Sequence, residues 1–159
     1  MRILYFDISG TLVAEGANRA KPRLADGAFE VAVRDAGFER LVCVSSLVRT
    51  VRNLVREGRT DDSHEALFRL CRGAFADADR FRDTVILPED ARPRIACIDL
   101  EADWWYLDDL AGLYCENAGR EDLYRRHRGE RILEPAPHGD GAEILEWLTR
   151  IASSSHQSP

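Results

Sequence analysis

Three apolar runs in this sequence each stop at a polar side chain. RILYF (2–6) ends at Asp7, with Gly10 and Thr11 close behind; LVCV (41–44) ends at Ser45 and Ser46; WWYL (104–107) ends at the pair Asp108–Asp109. Carboxylates and hydroxyls are hard oxygen groups, suited to attack on an electrophile or to binding a divalent cation. Each also has a plain structural role. Asp7 suits a turn before Gly10, and Asp108–Asp109 suit the first turn of a following helix. Three such endings in one chain point to a site if the runs lie side by side.

The runs read as strands that would do so. RILYF is a short buried strand closed by a tight turn. A helix is expected from an Asp26 cap, with Phe29, Val31, Ala32 and Val33 as its apolar face and Gly37 at its end. LVCV is a second buried strand. Leu47, Val48, Val51, Leu54 and Val55 follow at helical spacing, with Gly58 as the stop. Asp62 and Glu65 form a capping box for a helix carrying Leu67, Phe68, Leu70 and Cys71. TVIL (84–87) and RIACIDL (94–100) read as strands, WWYL as another, RIL (131–133) as an edge strand, and Asp140 as the cap of the helix AEILEWL (142–148). Alternation of strands and helices implies an α/β fold: a Rossmann-like three-layer sandwich around a mostly parallel sheet. Chemistry in such sheets sits beyond the carboxyl ends of the strands.

FDISGTLV (6–13) resembles the first motif of the haloacid-dehalogenase superfamily, a strand delivering an Asp, then Gly-Thr and an apolar residue. VCVSS (42–46) is similar to its second motif and WWYLDDLAG (104–112) to its fourth, in the same order, the likeness spanning about residues 2–120. The resemblance implies a small capless or minimally capped phosphatase-like member, acting through an aspartyl-phosphate on Asp7. It implies Mg²⁺ held by Asp7, Asp108, Asp109 and the backbone at Ser9, with phosphate oxygens met by Ser45 or Ser46 and by the turn at Gly10–Thr11. The third motif's cation falls to Arg94, with Arg92 as the alternative, because the only lysine, Lys21, lies between the first two motifs. Most phosphatases of this superfamily carry an aspartate where this chain has Ser9. A serine hydroxyl is a poor proton donor, and general acid–base help is worth about 10²–10⁴-fold. Ser9 therefore leaves three outcomes open: a slow phosphatase, cleavage of another bond type, or a binding protein.

Only 37 residues separate Asp7 from Ser45, too few for a large cap, while 60–83 has room for a small helical insert. An open site, suited to bulky or macromolecular phosphorylated substrates as well as small ones, would follow, and a phosphatase of nucleic-acid ends is an alternative that such a site would suit. The 159 residues are expected to form one domain over 1–150, with a flexible tail at 151–159. Hydrophobic residues at 45% and charged residues at 31% suffice for a core, so disorder is not expected before the tail. No run approaches the roughly 20 apolar residues of a membrane helix, and the first acid comes after six residues, which suggests no secretory signal. A cytoplasmic protein is expected. The net charge of −6 disfavours a general nucleic-acid surface. Cys43, Cys71, Cys97 and Cys115 form no C-x-x-C pair, so reduced thiols are expected rather than zinc. RRHRGER (125–131) is flanked by acids and reads as a solvated face, and the four histidines lack ligand spacing.

Overall fold

A period of two sorts the strand residues onto two faces. In β1 (Arg2–Phe6), Leu4 and Phe6 enter one core while Ile3 and Tyr5 enter another. β4 (Arg40–Cys43) and β6 (Asp103–Leu107) flank β1 in parallel, with Phe6 opposite both Cys43 and Leu107. Two-residue strands β5 (Val85–Ile86) and β7 (Ile132–Leu133) complete a five-stranded parallel sheet in the order β5-β4-β1-β6-β7. β2 (Val13–Ala14) and β3 (Lys21–Pro22) form a separate antiparallel pair. The computed structural model describes residues 1–14, 21–89, 94–137 and 139–155; Arg92, the alternative cation, and His138, one of the four histidines, lie outside them.

Helices cover both faces of the sheet. The larger core takes Phe29 and Val33 from α1 (Ala28–Asp35) and Val48 and Val51 from α2 (Leu47–Arg56). Leu67 of α3 (Ser63–Leu70), Phe81 of α4 (Ala78–Thr84) and Ile144, Trp147, Leu148 and Ile151 of α7 (Ala142–Ser155) join it. The smaller core holds Ile95 and Ile98 with Ala111 and Cys115 of α5 (Ala111–Asn117), and Leu123 and Tyr124 of α6 (Glu121–His127) pack against it. The result is an α/β fold with a parallel sheet between helical layers, compatible with a Rossmann-like sandwich. Among the described residues no helix is long and apolar enough to cross a membrane.

Several expectations change. Arg94–Cys97 is a short 3-10 helix, not a strand. Its apolar residues Ile95 and Ile98 are three apart, the repeat of a 3-10 turn, and both are buried, with Ile98 N–H bonded to Ile95 O at 3.2 Å. TVIL shrinks to Val85–Ile86 because Thr84 closes α4. Gly27 rather than Asp26 caps α1, held by its N–H to Gly73 O at 2.7 Å, and Val31 is exposed on that helix. α7 runs on to Ser155 because Ile144, Trp147, Leu148 and Ile151 keep one buried stripe, so 151–155 belong to the helix. Asp62 does cap α3, accepting N–H groups of His64 and Glu65. All four cysteines are free thiols, three of them buried.

Arg23 ties the turn after β1 to the chain before α7, a role the sequence did not mark. Its buried guanidinium donates to Gly10 O at 2.7 Å, Thr11 O at 3.3 Å, Gly139 O at 3.1 Å, and Ala136 O. Arg23→Met removes these donors, leaving Ala136 O only the Gly139 N–H at 3.2 Å, and a loss of about 2–4 kcal/mol in urea unfolding is expected. A loss under about 0.5 kcal/mol, the scale of ordinary surface changes, would show that the guanidinium is not what holds the turn.

Candidate active site

In-register parallel pairing is what brings the acids together. Phe6 lies opposite Leu107, and the ladder continues through Asp7 N–H to Leu107 O at 2.9 Å and Asp108 N–H to Leu133 O at 3.1 Å. Asp7 and Asp108 therefore leave adjacent strands at the same rim and on the same face. Both are buried, at 1% and 0% exposure. The chain builds β4 and β5 on one side of β1, then returns to build β6 and β7 on the other, so this rim is the topological switch point of the sheet.

Arg94 enters from the 3-10 helix and sits between the two carboxylates. Its Nη1 donates to Asp108 Oδ2 at 2.7 Å and lies 2.9 Å from Asp7 Oδ1, while its guanidinium stacks 4.3 Å from the Tyr114 ring centroid. Burial works against its charge, but Asp7 and Asp108 outweigh burial and hold the guanidinium above its ordinary value. Asp108 is further fixed by the Tyr106 hydroxyl, donating to Oδ2 at 2.8 Å, and by the Leu110 N–H on Oδ1 at 2.9 Å. Tyr106 was missed because it reads as one more apolar residue of WWYL. Its place two residues before Asp108, on the same face of a buried strand, was the available signal. Burial, then the neighbouring Asp108, raises the phenol far above its usual range.

The turn after Asp7 is shaped to receive Asp109. Gly10 has φ +81°, and a Cβ there would stand 2.3 Å from Asp109 Oδ2, so the position demands glycine for both conformation and space. The Thr11 hydroxyl lies 3.1 Å from Asp109 Oδ1 and 3.3 Å from Asp7 Oδ2 and accepts the Asp109 N–H at 3.0 Å. The N–H groups of Gly10 and Thr11, expected to meet phosphate, instead close the turn on Val13 O at 2.8 Å and Ile8 O at 3.2 Å. Ser45 is fully buried beside Asp7, whereas Ser46 is exposed at the start of α2, so the geometry brings Ser45 into the cluster and leaves Ser46 out. Ser9 lies half-buried in the turn, in a bridge with Val13.

The donor set suits a hard divalent cation. Asp7, Asp108 and Asp109 each offer a carboxylate oxygen, all within 4.8 Å of one another, and Asp7 Oδ1 is buried without a hydrogen-bond donor despite the nearby Arg94. Three carboxylates against one guanidinium leave a formal −2 (−3 + 1), which a divalent cation would neutralise and which would otherwise repel a phosphate dianion. Burial, and then the Asp108 charge, raises Asp7 from 3.8 to about 7, while Arg94 and the Ser45 hydroxyl pull it down. Burial and Asp108 also raise Asp109, against the pull of Thr11. Comparisons with family models, curated proteins and solved structures gave no match to this chain.

A carboxyl held higher in the folded state than in the unfolded chain binds its proton more tightly when folded, so its ionisation weakens the fold as pH rises from about 4 to about 7. Arg94 is the group that opposes this. Arg94→Met leaves two buried acids without a cation, and a loss of about 3–5 kcal/mol is expected at pH 8 in metal-free protein. That loss shrinks toward pH 5, where Asp7 holds its proton. Urea unfolding at the two pH values reads the difference; equal losses at both would contradict the charge arrangement.

Proposed function

We propose that this chain is a Mg²⁺-dependent phosphohydrolase of the haloacid-dehalogenase type, working through an aspartyl-phosphate on Asp7. The observation that carries the reading is the buried pair Asp7–Asp108 at adjacent strand ends of the switch point, bridged by Arg94. It agrees with the order of the motifs in the sequence. Asp7, Asp108 and Asp109 would hold Mg²⁺, which when bound neutralises the acids and draws charge from the phosphoryl oxygens.

The chain's own residues do the rest. An Asp7 carboxylate oxygen attacks phosphorus; the bond from phosphorus to the leaving oxygen breaks, and that oxygen departs with the electron pair. Water then attacks the phosphorus of the acyl phosphate, releasing phosphate and a proton and restoring Asp7. Arg94 pulls the Asp7 carboxyl toward ionisation against burial and Asp108 and offers positive charge to the transferring group, and Tyr106 and the Leu110 N–H hold Asp108 in place. The Ser45 hydroxyl donates to a phosphoryl oxygen. Ser9 cannot supply an acidic proton at neutral pH, so the leaving group must depart as an anion. Acyl phosphates and phosphoanhydrides meet that condition; simple alkyl phosphates do not.

Wild-type protein with Mg²⁺ is expected to turn over acetyl phosphate and an aryl phosphate, and Asp7→Asn or chelation of the metal abolishes both. Alkyl phosphates run about 10²–10⁴-fold slower, and Ser9→Asp recovers about 10²-fold of that deficit. Activity surviving in Asp7→Asn would overturn the mechanism. Ser9 favours one second reading, a catalytically silent phosphate-binding relative, which is the outcome if wild type fails on acetyl phosphate yet still binds inorganic phosphate with Mg²⁺.

A further inference from the structure

α2 begins directly after Ser45 and carries a charge unlike the rest of the chain. Its ten residues, LVRTVRNLVR, hold three arginines and no acid in a protein of net charge −6. At about 100° per residue, Arg49, Arg52, Asn53 and Arg56 fall on one arc of the helix, away from the buried Val48 and Val51. The arginines stand about 4.5, 9 and 15 Å of helix rise beyond Ser46. Arg49 and Arg56 are exposed, and among the described residues none of the three arginines has a carboxylate partner. Nearby arginines do: Arg69 pairs with Glu65, and Arg82 with Asp62 at 2.7 Å.

Arg52 ties the middle of this face to the chain leaving β5, at the carboxyl-end side of the sheet that also carries Asp7. Its Nη2 donates to Leu87 O at 2.7 Å and Pro88 O at 3.1 Å, carbonyls just past the carboxyl end of β5. Beside it a cavity of about 410 Å³ is lined by Arg52, Val55, Arg56, Ser63 and Glu89, with Glu89 the one acid among the described lining residues. The face has no aromatic side chain, so it offers charge to a backbone of phosphates and no platform for bases.

We propose that the arginine face of α2 holds the body of a linear condensed phosphate whose terminal phosphoryl group is presented to Asp7. This rests on the hydrolase reading and names its substrate class. Attack by Asp7 on the terminal phosphorus breaks its bond to the bridging oxygen, and the shortened chain leaves with the electron pair as a phosphate oxyanion. Water then cleaves the aspartyl-phosphate, releasing orthophosphate and a proton to solvent. A phosphate oxyanion leaves without a proton from the enzyme, the condition Ser9 imposes. The chain that remains is the anion which Arg49, Arg52 and Arg56 meet.

The test compares acetyl phosphate, pyrophosphate, tripolyphosphate and long-chain polyphosphate as substrates of the full chain with Mg²⁺. In wild type kcat/KM is expected to rise with chain length by at least about tenfold, and the rise weakens with added salt. Arg49→Glu/Arg56→Glu flattens it through KM and leaves acetyl phosphate turnover unchanged; Arg49→Gln/Arg56→Gln, which adds no acid, lowers it partway and serves if the first variant fails to fold. A flat length profile in wild type, or one that survives the substitutions, overturns the proposal while leaving the hydrolase reading intact. So does a 5′-phosphorylated oligonucleotide that competes as well as polyphosphate of equal charge. If acetyl phosphate is not turned over, the hydrolase reading fails by itself. Calorimetric binding of long-chain polyphosphate to Asp7→Asn protein then decides the surface: binding lost in Arg49→Glu/Arg56→Glu supports it, and no binding overturns it.

Discussion

Two carboxylates that repel each other are held side by side with almost no exposed surface. Asp7 and Asp108 arrive there because β1 and β6 pair in register, and neither strand can slip without turning its core residues to the wrong face. The core thus imposes the repulsion, and Arg94, Tyr106 and Thr11 are arranged to make it tolerable. The compensation is incomplete. Asp7 Oδ1 lacks a hydrogen-bond donor, and the cluster keeps a formal excess of negative charge. A fold that stores this imbalance gains stability from anything cationic that enters, which connects the stability of the rim to its chemistry.

Arg94 acts on both sides of that balance. A lysine in its place would be a compact, strongly hydrated charge, whereas the guanidinium stacks on Tyr114 while reaching both acids with one nitrogen. Its position depends on the 3-10 turn that buries Ile95 and Ile98, so the smaller core sets where the positive charge sits. On the opposite side of the turn, Arg23 fixes the backbone of Gly10 and Thr11, whose shape leaves room for Asp109.

The parts legible in the sequence are those where one residue type has one physical use. Apolar runs of strand length ending in Asp7, Ser45 and Asp108 gave the sheet's central strands and the rim, and Gly10 and Gly37 do adopt the positive φ that their turns require. Patterns that two structures share were not separable. RIACIDL has the composition of a strand, and only the spacing of Ile95 and Ile98 distinguishes a 3-10 turn. Ser45 and Ser46 are adjacent, and one residue of register decides which enters the cluster. Arg23 was invisible because its partners, carbonyls of a distant loop, come near it only in the folded chain, whereas Tyr106 was hidden among the apolar residues of its strand although it stands two residues before Asp108.

The most direct measurement is anomalous diffraction from crystals soaked in Mn²⁺ as a stand-in for Mg²⁺. The arrangement described requires one peak lying between the carboxylates of Asp7, Asp108 and Asp109, absent from crystals of Asp108→Asn. No peak there, with the two buried acids still bridged by Arg94 alone, would contradict it.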